Sequence, residues 1–179
     1  MKFSYDFKLS EHSGSSRVYV CGDITARIDF LSGSMMRVAL FRDGCKMLPT
    51  FTVNPQNEFL TEGRDKLSLD GFPMFTPKVK ENAKGECFSL ENVEAELDTH
   101  NFVLSYKKDG KLLFADRAPL AYNFQNEFGN GIYHYVTREK GEKIYGLGDK
   151  GGSVNKAGHT FRIEMSDSMG YDAETSDPL

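Results

Sequence analysis

The sequence predicts an all-β protein, an antiparallel sandwich or barrel, and three features of the chain support this prediction. Apolar and polar residues alternate along several short runs, which is the period of two expected of strands with one buried face. Glycine and aspartate turns separate these runs at fairly regular intervals. No stretch shows the longer period of an amphipathic helix.

Three strands are predicted near the start of the chain. Arg17 to Cys21 is a short β-rich run, and in Ile24 to Phe30 the apolar residues alternate with polar ones. Met35 to Phe41 is a more continuous apolar run, which is typical of a strand covered on both faces. Asp43-Gly44 then predicts a turn, because glycine accepts the positive φ that such turns require.

The middle of the chain is predicted to be irregular. Prolines interrupt the stretches Phe51 to Phe59 and Leu69 to Pro77, and a proline cannot donate to a central β-ladder, so both are edges or loops. Phe72, Met74 and Phe75 are expected to fold onto the core as loop residues. An exposed aromatic platform for sugar is the alternative interpretation of these three side chains.

Strands return after Lys78 to Glu86, a charged segment that contains a glycine and is expected to be a hinge. Val93 to Leu97 and Phe102 to Tyr106 alternate between apolar and polar residues. Asp109-Gly110 predicts a hairpin turn, and Ile132 to Val136 predicts a further strand.

Length and charge narrow the class of protein. A chain of 179 residues, 39% of them hydrophobic, can bury the core of one domain. Its net charge of -4 argues against nucleic-acid and anionic-membrane partners, which require a basic patch. No apolar run approaches the roughly 20 residues that span a bilayer. Met1 to Asp6 shows no signal-peptide core, so a cytoplasmic location is expected.

The spacing of cysteine, histidine and serine indicates no metal site, no cofactor and no catalytic triad. Cys21, Cys45 and Cys87 form no C-x-x-C pair and are expected to be small buried thiols in a reducing cytoplasm. The four histidines form no metal-ligand pattern. No serine lies in G-x-S-x-G, and no Ser-His-Asp arrangement can be argued from the spacing.

Acidic residues cluster near the C-terminal end of the sequence, at Asp167, Asp172, Glu174 and Asp177. Paired carboxylates can hydrolyse glycosides when a rigid scaffold fixes their separation. Glu174 and Asp177 are expected to form a solvated acidic tail. Asp167 differs from them because it closely follows the alternating run Phe161 to Met165, which would anchor it.

A glycine-rich segment opens a longer series of motifs. Its G-x-G-x-x-G spacing at Gly146 matches the letters of a dinucleotide fingerprint, but later glycines interrupt the helix that phosphate binding needs, so no dinucleotide site is predicted. The motifs are I-Y-G-L-G-D-K at Ile144 to Lys150, N-K-A-G-H-T-F-R at Asn155 to Arg162, and D-S-M-G-Y-D-A-E-T-S-D-P-L from Asp167 onward. Together they resemble the Y-G-L-G-E, N-(K/R)-x-G-x-x-(Y/F), D-x-x-G-Y-D and T-S-D-P-L segments of glycoside hydrolase family 31, the α-glucosidase and α-xylosidase family.

The resemblance implies a domain organisation. Residues 1–165 would form the family's N-terminal antiparallel β-sandwich, a galactose-mutarotase-like supersandwich. Residues 166–179 would be a loop leading toward a (β/α)8 barrel that this chain lacks. The barrel carries both catalytic aspartates of the retaining mechanism in this family. The chain alone is therefore expected to hold no catalytic residue and to be inactive.

The resemblance also implies a function for the loop. It would help form the substrate pocket of an α-glucosidase-like hydrolase, with Asp167 as the sugar-binding residue. A carboxylate suits this role because it accepts two hydroxyl hydrogen bonds in a fixed geometry. The implied partners are an α-linked oligosaccharide and the barrel, and an exposed docking face could drive homo-oligomers.

Two alternatives remain open at the level of the sequence. A stand-alone carbohydrate-binding module would bind sugar through aromatic side chains such as Phe72, Phe75 or Tyr122. An aldose mutarotase would need a general acid and a general base in the sandwich itself, for which His100 and His134 are the candidates.

Overall fold

The structure is a computed structural model in which residues 4–32, 34–52, 55, 61–124, 131–147 and 152–161 are described. The regular elements in these ranges are all strands, and no helix occurs among the described residues. The chain divides into two compact units, Met1–Thr137 and Arg138–Leu179. Every described strand lies in the first unit.

The first sheet has four antiparallel strands in sequence order. They are β1 (Lys8–His12), β2 (Ser16–Cys21), β3 (Ile24–Ser32) and β4 (Met35–Arg42). The three strands predicted near the start of the chain are thus confirmed as β2, β3 and β4. The predicted turn after β4 is confirmed as well, with Gly44 at a φ of 73°.

The second sheet has five antiparallel strands, also in sequence order. They are β5 (Lys78–Glu81), β6 (Gly85–Ser89), β7 (Glu94–Asp98), β8 (Val103–Lys108) and β9 (Lys111–Ala115), and a separate short pair joins β10 (Tyr122–Asn123) to β11 (Tyr133–His134). The predicted hairpin turn between β8 and β9 is confirmed, since Asp109 and Gly110 have φ values of 51° and 73°.

Two expectations for this half of the chain are wrong. The segment predicted as a hinge forms β5 and the start of β6 instead. Its turn is built by Asn82, whose Oδ1 accepts hydrogen bonds from the N–H groups of Lys84 at 2.8 Å and Gly85 at 2.9 Å. Strand β5 is short and mostly exposed, so its sequence carries too little apolar alternation to reveal it. The strand predicted at Ile132 to Val136 is reduced to the two residues of β11.

The two sheets pack face to face and bury one hydrophobic core between them, so the predicted β-sandwich is confirmed. The alternating side chains of β3 point into this core, and Ala26, Ile28 and Phe30 are fully buried. Phe30 of the first sheet contacts Phe88 of the second, with ring centroids 5.0 Å apart. Aromatic pairs in this arrangement add stabilisation beyond the area they bury.

Phe102, at the turn between β7 and β8, contacts several aromatic rings of the core. It is fully buried, and its ring centroid lies 5.1 Å from that of Phe7 and 5.7 Å from that of Tyr19. Phe102 and its neighbour Asn101 both have positive φ, at 52° and 64°, a conformation that is unfavourable for a residue with a bulky side chain. Asn101 stabilises the turn because its Oδ1 accepts a 2.8 Å hydrogen bond from the Tyr5 N–H.

The outer face of the first sheet holds a buried carboxylate. Asp29 was expected on the polar face of β3, yet it is fully buried. Its neighbours across the sheet are Ser16, which donates to it at 2.7 Å, and Arg37, which donates at 2.6 Å and 3.0 Å. The side chain of Arg27 donates a further hydrogen bond at 2.8 Å. Arg37 also donates to the carbonyl of Lys66 at 2.9 Å, so a loop covers this face.

Strand β4 differs from its prediction in burial. Met35 to Phe41 was expected to be covered on both faces, but its residues are half-buried along most of the strand. The reason is its position at the end of the first sheet, where one side has no neighbouring strand of that sheet.

A buried glutamate links the two sheets. Glu86 of β6 points inward and is 8% exposed. It accepts a short hydrogen bond from the hydroxyl of Tyr19 on β2, and Arg17 lies 3.4 Å from its other oxygen. Burial raises the pKa of the Tyr19 hydroxyl, and the hydrogen bond to Glu86 raises it further.

We expect Asp29→Ala to lower the free energy of unfolding by about 2–4 kcal/mol, because it leaves two arginines without their shared carboxylate. Urea unfolding at pH 7 measures this effect. The matched control is Asp23→Ala, which removes an exposed carboxylate 3.9 Å from Arg42 and should change stability by less than about 0.5 kcal/mol. Equal effects of the two substitutions would contradict a structural role for the buried carboxylate.

A second prediction concerns alkaline pH. Burial, aided by the charge of Asp116, raises the pKa of Tyr106 to about 12. The unfolded chain therefore releases this proton near pH 10 while the folded chain keeps it, so the free energy of unfolding falls as pH rises from about 10 to 12. Tyr106→Phe should make this decline shallower by up to about 1.4 kcal/mol per pH unit, as measured by urea unfolding at several pH values. Tyr145→Phe is the matched control, and it should leave the decline unchanged because this ring is 60% exposed.

Candidate functional site

The residue predicted to bind sugar, Asp167, lies outside the described residues. The same is true of Asp172, Glu174 and Asp177, and of the alternating run beyond Phe161. The structure does describe the motif residues that precede this region, Ile144–Leu147 and Gly152–Phe161. These two segments are the part of the candidate site whose geometry can be stated.

The two motif segments are hydrogen-bonded to each other. The side-chain Oδ1 of Asn155 accepts a hydrogen bond from the N–H of Ile144 at 3.0 Å. The N–H of Lys156 donates to the carbonyl oxygen of Ile144 at 2.7 Å. Both backbone groups of Ile144 are therefore hydrogen-bonded to the N-K-x-G motif. Its N–H donates to the side chain of Asn155, and its carbonyl oxygen accepts from the N–H of Lys156.

The N-K-x-G motif also forms a turn, which explains why it contains an asparagine and a glycine. Asn155 Oδ1 accepts a second hydrogen bond from the N–H of Ala157 at 3.2 Å, which is an Asx turn. The N–H of His159 donates to the carbonyl of Lys156 at 3.3 Å and closes the next turn. Gly158 has a φ of 83°, which a side chain would oppose, so glycine suits this position.

Lys156 is an unusual residue in this turn because it is 7% exposed. Its Nζ lies 5.4 Å from the ring centroid of Phe161, a distance at which an ammonium group is attracted to an aromatic face. Phe161 in turn lies 6.2 Å from the ring of His159. The side chains of Lys156 and His159 therefore pack near the ring of Phe161, the last described residue of this segment.

The I-Y-G-L-G segment exposes apolar side chains. Ile144, Tyr145 and Leu147 are 41%, 60% and 39% exposed. Leu147 also has a φ of 69°, which is rare for a leucine. Strained, exposed apolar residues of this kind occur where a segment meets a ligand or another part of a protein.

The aromatic residues proposed as a sugar platform do not form one. Phe72 is half-buried beneath Arg64, whose guanidinium carbon lies 5.1 Å from the ring centroid. Phe75 packs against the core, as expected for a loop residue folded onto it, whereas Met74 is 42% exposed and does not. Tyr122 is 7% exposed, so its ring is not available for stacking on a sugar.

The two candidate histidines of a mutarotase site each pair with a different carboxylate. His134 Nε2 lies 2.8 Å from Asp116 Oδ1, and its ring stacks on Tyr122 at 4.3 Å. Asp116 is buried, and its other oxygen accepts the N–H of Leu104 at 2.9 Å. His100 Nδ1 lies 2.6 Å from Asp6 Oδ1.

The sequence analysis did not single out Asp116 or Asp6. Each lies in an isolated bridge, Asp116 with Val136 and Asp6 with His100, and no local pattern reveals such pairings.

Two of the depressions on the described surface of the sandwich lack the lining of a sugar site. One has a volume of about 280 Å³ and lies between the turns after β6 and β8, near Asn92, Lys107 and Asp109. The other, of about 300 Å³, lies near His12 and Arg27. Among the described residues that line them there is no phenylalanine or tyrosine on which a sugar ring could stack.

The cysteines differ from their prediction in burial. All three are free thiols, but Cys45 is exposed and Cys21 and Cys87 are only half-buried. Burial raises the pKa of the Cys21 and Cys87 thiols, which makes them less reactive at neutral pH.

The described ranges contain no group of three or more histidine, cysteine or acidic side chains placed to hold a metal ion. They also contain no helix with the length and apolar character needed to cross a membrane.

Comparison with known proteins identifies the family. Residues 25–179 match the model of the glycosyl hydrolase 31 N-terminal galactose mutarotase-like domain. The fold agrees with that of a glycoside hydrolase family 31 dextranase from Flavobacterium johnsoniae. A mutant of this enzyme complexed with isomaltotriose matches with 23% identity and a TM-score of 0.69, and the enzyme complexed with glucose with 24% identity and a TM-score of 0.68. Each match covers 98% of this chain and 20% of the dextranase chain.

The described fold and the matching residues define an antiparallel, galactose-mutarotase-like β-sandwich. The chain belongs to the glycosyl hydrolase 31 N-terminal galactose mutarotase-like domain family. It spans about a fifth of the length of the dextranase structures that it matches. A search of curated proteins gave no match.

The contact between the two motif segments generates a prediction. Asn155→Ala removes the acceptor of the Ile144 N–H, so the amide hydrogen of Ile144 should exchange with solvent at least about fivefold faster, which corresponds to about 1 kcal/mol. Asn155→Asp keeps an oxygen at the same position and should preserve most of the protection. Hydrogen exchange read by NMR measures both variants.

The amide of Arg64, which donates to Thr50 in the other unit, is the internal reference and should not change. Unchanged exchange at Ile144 in the alanine variant would show that the side chain of Asn155 does not hold the two motifs together.

Proposed function

We propose that this chain is the N-terminal, non-catalytic domain of a retaining α-glycosidase with α-glucosidase-like activity. In this proposal the sandwich supports a catalytic (β/α)8 barrel, and the loop of residues 166–179 forms part of the substrate pocket. The observation that carries the proposal is the joining of the I-Y-G-L-G and N-K-x-G motifs through Ile144 and Asn155. This contact holds Asn155, which lies twelve positions before Asp167, the residue that the family resemblance assigns to sugar binding.

The substrate class in this proposal is an oligosaccharide with terminal α-linked glucose. The support for this class is that the dextranase structures with the same fold hold isomaltotriose and glucose. Asp167 would accept hydrogen bonds from two sugar hydroxyls, as a carboxylate can. Hydrogen bonds to a charged group contribute about 1.5–3 kcal/mol each, so Asp167 would contribute substantially to substrate affinity.

The proposal assigns the chemistry to the barrel. A retaining mechanism needs two carboxyl groups about 5 Å apart, one acting as nucleophile and the other as acid and base. Asp29 and Asp116 are buried and hydrogen-bonded, so neither is accessible to a glycosidic bond. We therefore propose that the 179-residue chain has no glycosidase activity of its own. We also propose that it works in the cytoplasm, where its three free thiols would stay reduced.

The first test is an activity assay on the 179-residue chain with maltose, isomaltose and p-nitrophenyl α-glucoside. We expect no release of glucose or p-nitrophenol, and isothermal titration should detect no sugar binding. Turnover by this chain alone would contradict the proposal. Saturable binding at micromolar to low millimolar concentration would instead favour a stand-alone carbohydrate-binding module.

The second test addresses Asp167 in a product long enough to contain a barrel, if the reading frame continues past Leu179. Asp167→Asn should lower kcat/KM about 10- to 100-fold, which corresponds to the 1.5–3 kcal/mol of one charged hydrogen bond. Glu174→Gln is the matched control, and it should change kcat/KM by less than about twofold because a solvated carboxylate makes no fixed contact. An equal kcat/KM for Asp167→Asn and the parent protein would contradict a role of Asp167 in substrate binding.

A further inference from the structure

A serine, a histidine and an aspartate meet on the surface of the sandwich, far from the motif residues in sequence. His100 Nε2 lies 3.4 Å from Ser4 Oγ, and His100 Nδ1 lies 2.6 Å from Asp6 Oδ1. The connectivity is therefore hydroxyl to imidazole to carboxylate, with the two ring nitrogens used in the order found in hydrolytic triads. No local sequence pattern reveals this cluster, because 94 residues separate Asp6 from His100.

The backbone explains why the three side chains meet. Asp6 and His100 form an antiparallel β-bridge, flanked by hydrogen bonds from Phe7 N–H to Thr99 O at 3.1 Å and from Asn101 N–H to Tyr5 O at 2.6 Å. Residues directly opposite each other in such a bridge present their side chains to the same face. Ser4 is two residues before Asp6 and so shares that face.

The short contact to Asp6 decides the protonation of the ring. A carboxylate only accepts hydrogen bonds, so His100 carries its proton on Nδ1 and donates a hydrogen bond from there to Asp6. In the neutral ring Nε2 then has a free lone pair directed at the hydroxyl of Ser4. His100 is 53% exposed in its side chain and Ser4 is exposed, so a small molecule can reach both.

We propose that Ser4 is a nucleophile toward small activated esters, with His100 as its general base and Asp6 as the positioning residue. Ser4 Oγ attacks the acyl carbon while its proton moves to His100 Nε2. The bond to the leaving phenolate or alkoxide then breaks, and that group takes the proton from Nε2. Water, activated by the same nitrogen, hydrolyses the acyl-serine to the carboxylic acid and restores the hydroxyl.

The surroundings of Ser4 limit how fast this reaction can be. The nearby N–H groups of Tyr5, Phe7, His100 and Asn101 all donate to other oxygens, so they cannot stabilise an oxyanion. The side chain of Asp6 is 75% exposed, and solvent weakens its charge effect on the ring. General-base catalysis alone typically contributes 10²–10⁴-fold, and we expect at least about tenfold here.

The test is p-nitrophenyl acetate hydrolysis by the 179-residue chain, followed by peptide mass spectrometry to locate the acetyl group. Ser4→Ala and His100→Gln should each lower the initial rate of p-nitrophenol release about tenfold or more, and acetyl-Ser4 should disappear in both. Asp6→Asn should lower the rate less and shift its pH profile, whereas loss of structure alone would not shift the profile. Ser10→Ala, on the exposed strand β1, is the matched control and should leave the rate unchanged.

Two outcomes would overturn the proposal. One is an equal rate in Ser4→Ala and the parent chain, which would assign the hydrolysis to direct attack by histidine or lysine. The other is acetylation of Ser4 that persists in His100→Gln. Circular dichroism of each variant confirms that the sandwich is intact before rates are compared.

Discussion

The structure depends on the aromatic contacts that Phe102 makes between the sheets. Phe102 touches Phe7 near the N-terminus, Tyr19 of the first sheet and Tyr122 of β10. Three parts of the chain that are distant in sequence therefore converge on one buried ring. Burial of a phenylalanine contributes a few kcal/mol, which is enough to hold its backbone at an unfavourable positive φ. Asn101 secures the same turn through its paired hydrogen bonds to Tyr5.

Buried carboxylates determine how the strands align around this core. Asp29 joins β2, β3 and β4 on the outer face, Glu86 joins the two sheets, and Asp116 joins β8 to the segment that carries β11. A shift of register by one residue would move each carboxylate away from its donors and leave a charge buried without a partner. A shift by two residues would keep the apolar side chains on the buried face, so the hydrophobic pattern alone does not exclude it. These polar contacts therefore give the sandwich a single strand alignment.

The sequence predicted the parts of the fold that local patterns encode. A β-rich run identified β2, alternation identified β3, and the Asp-Gly pairs identified the turns after β4 and β8, because each pattern acts within a few residues. The hinge predicted at Lys78 to Glu86 was wrong since β5 is a short strand with charged residues on its exposed side. The burial of Asp29 was missed because it depends on Arg37 and on a loop some 30 residues farther along the chain.

Less of the candidate site than of the fold could be predicted from local patterns. The motifs around Ile144 and Asn155 were found by resemblance, and the structure adds the hydrogen bonds between them. The sugar-binding role of Asp167 comes from the family resemblance. The meeting of Ser4, Asp6 and His100 could not be predicted at all, because it depends on an isolated bridge between distant segments. Local sequence patterns carry no information on such long-range pairings.

Strand β9 has a consequence for how this protein behaves in concentrated solution. It is an end strand of the second sheet, and Leu112, Leu113 and Phe114 on it are about half exposed. Apolar edges of this kind can recruit a strand from another molecule and begin aggregation. Charged residues flank these apolar side chains in sequence, with Lys107, Lys108, Asp109 and Lys111 before them and Arg117 after them. Such charged residues oppose intermolecular strand pairing by repulsion and by the cost of desolvating charge. Salt screens this repulsion, so the protein should be most soluble at low ionic strength.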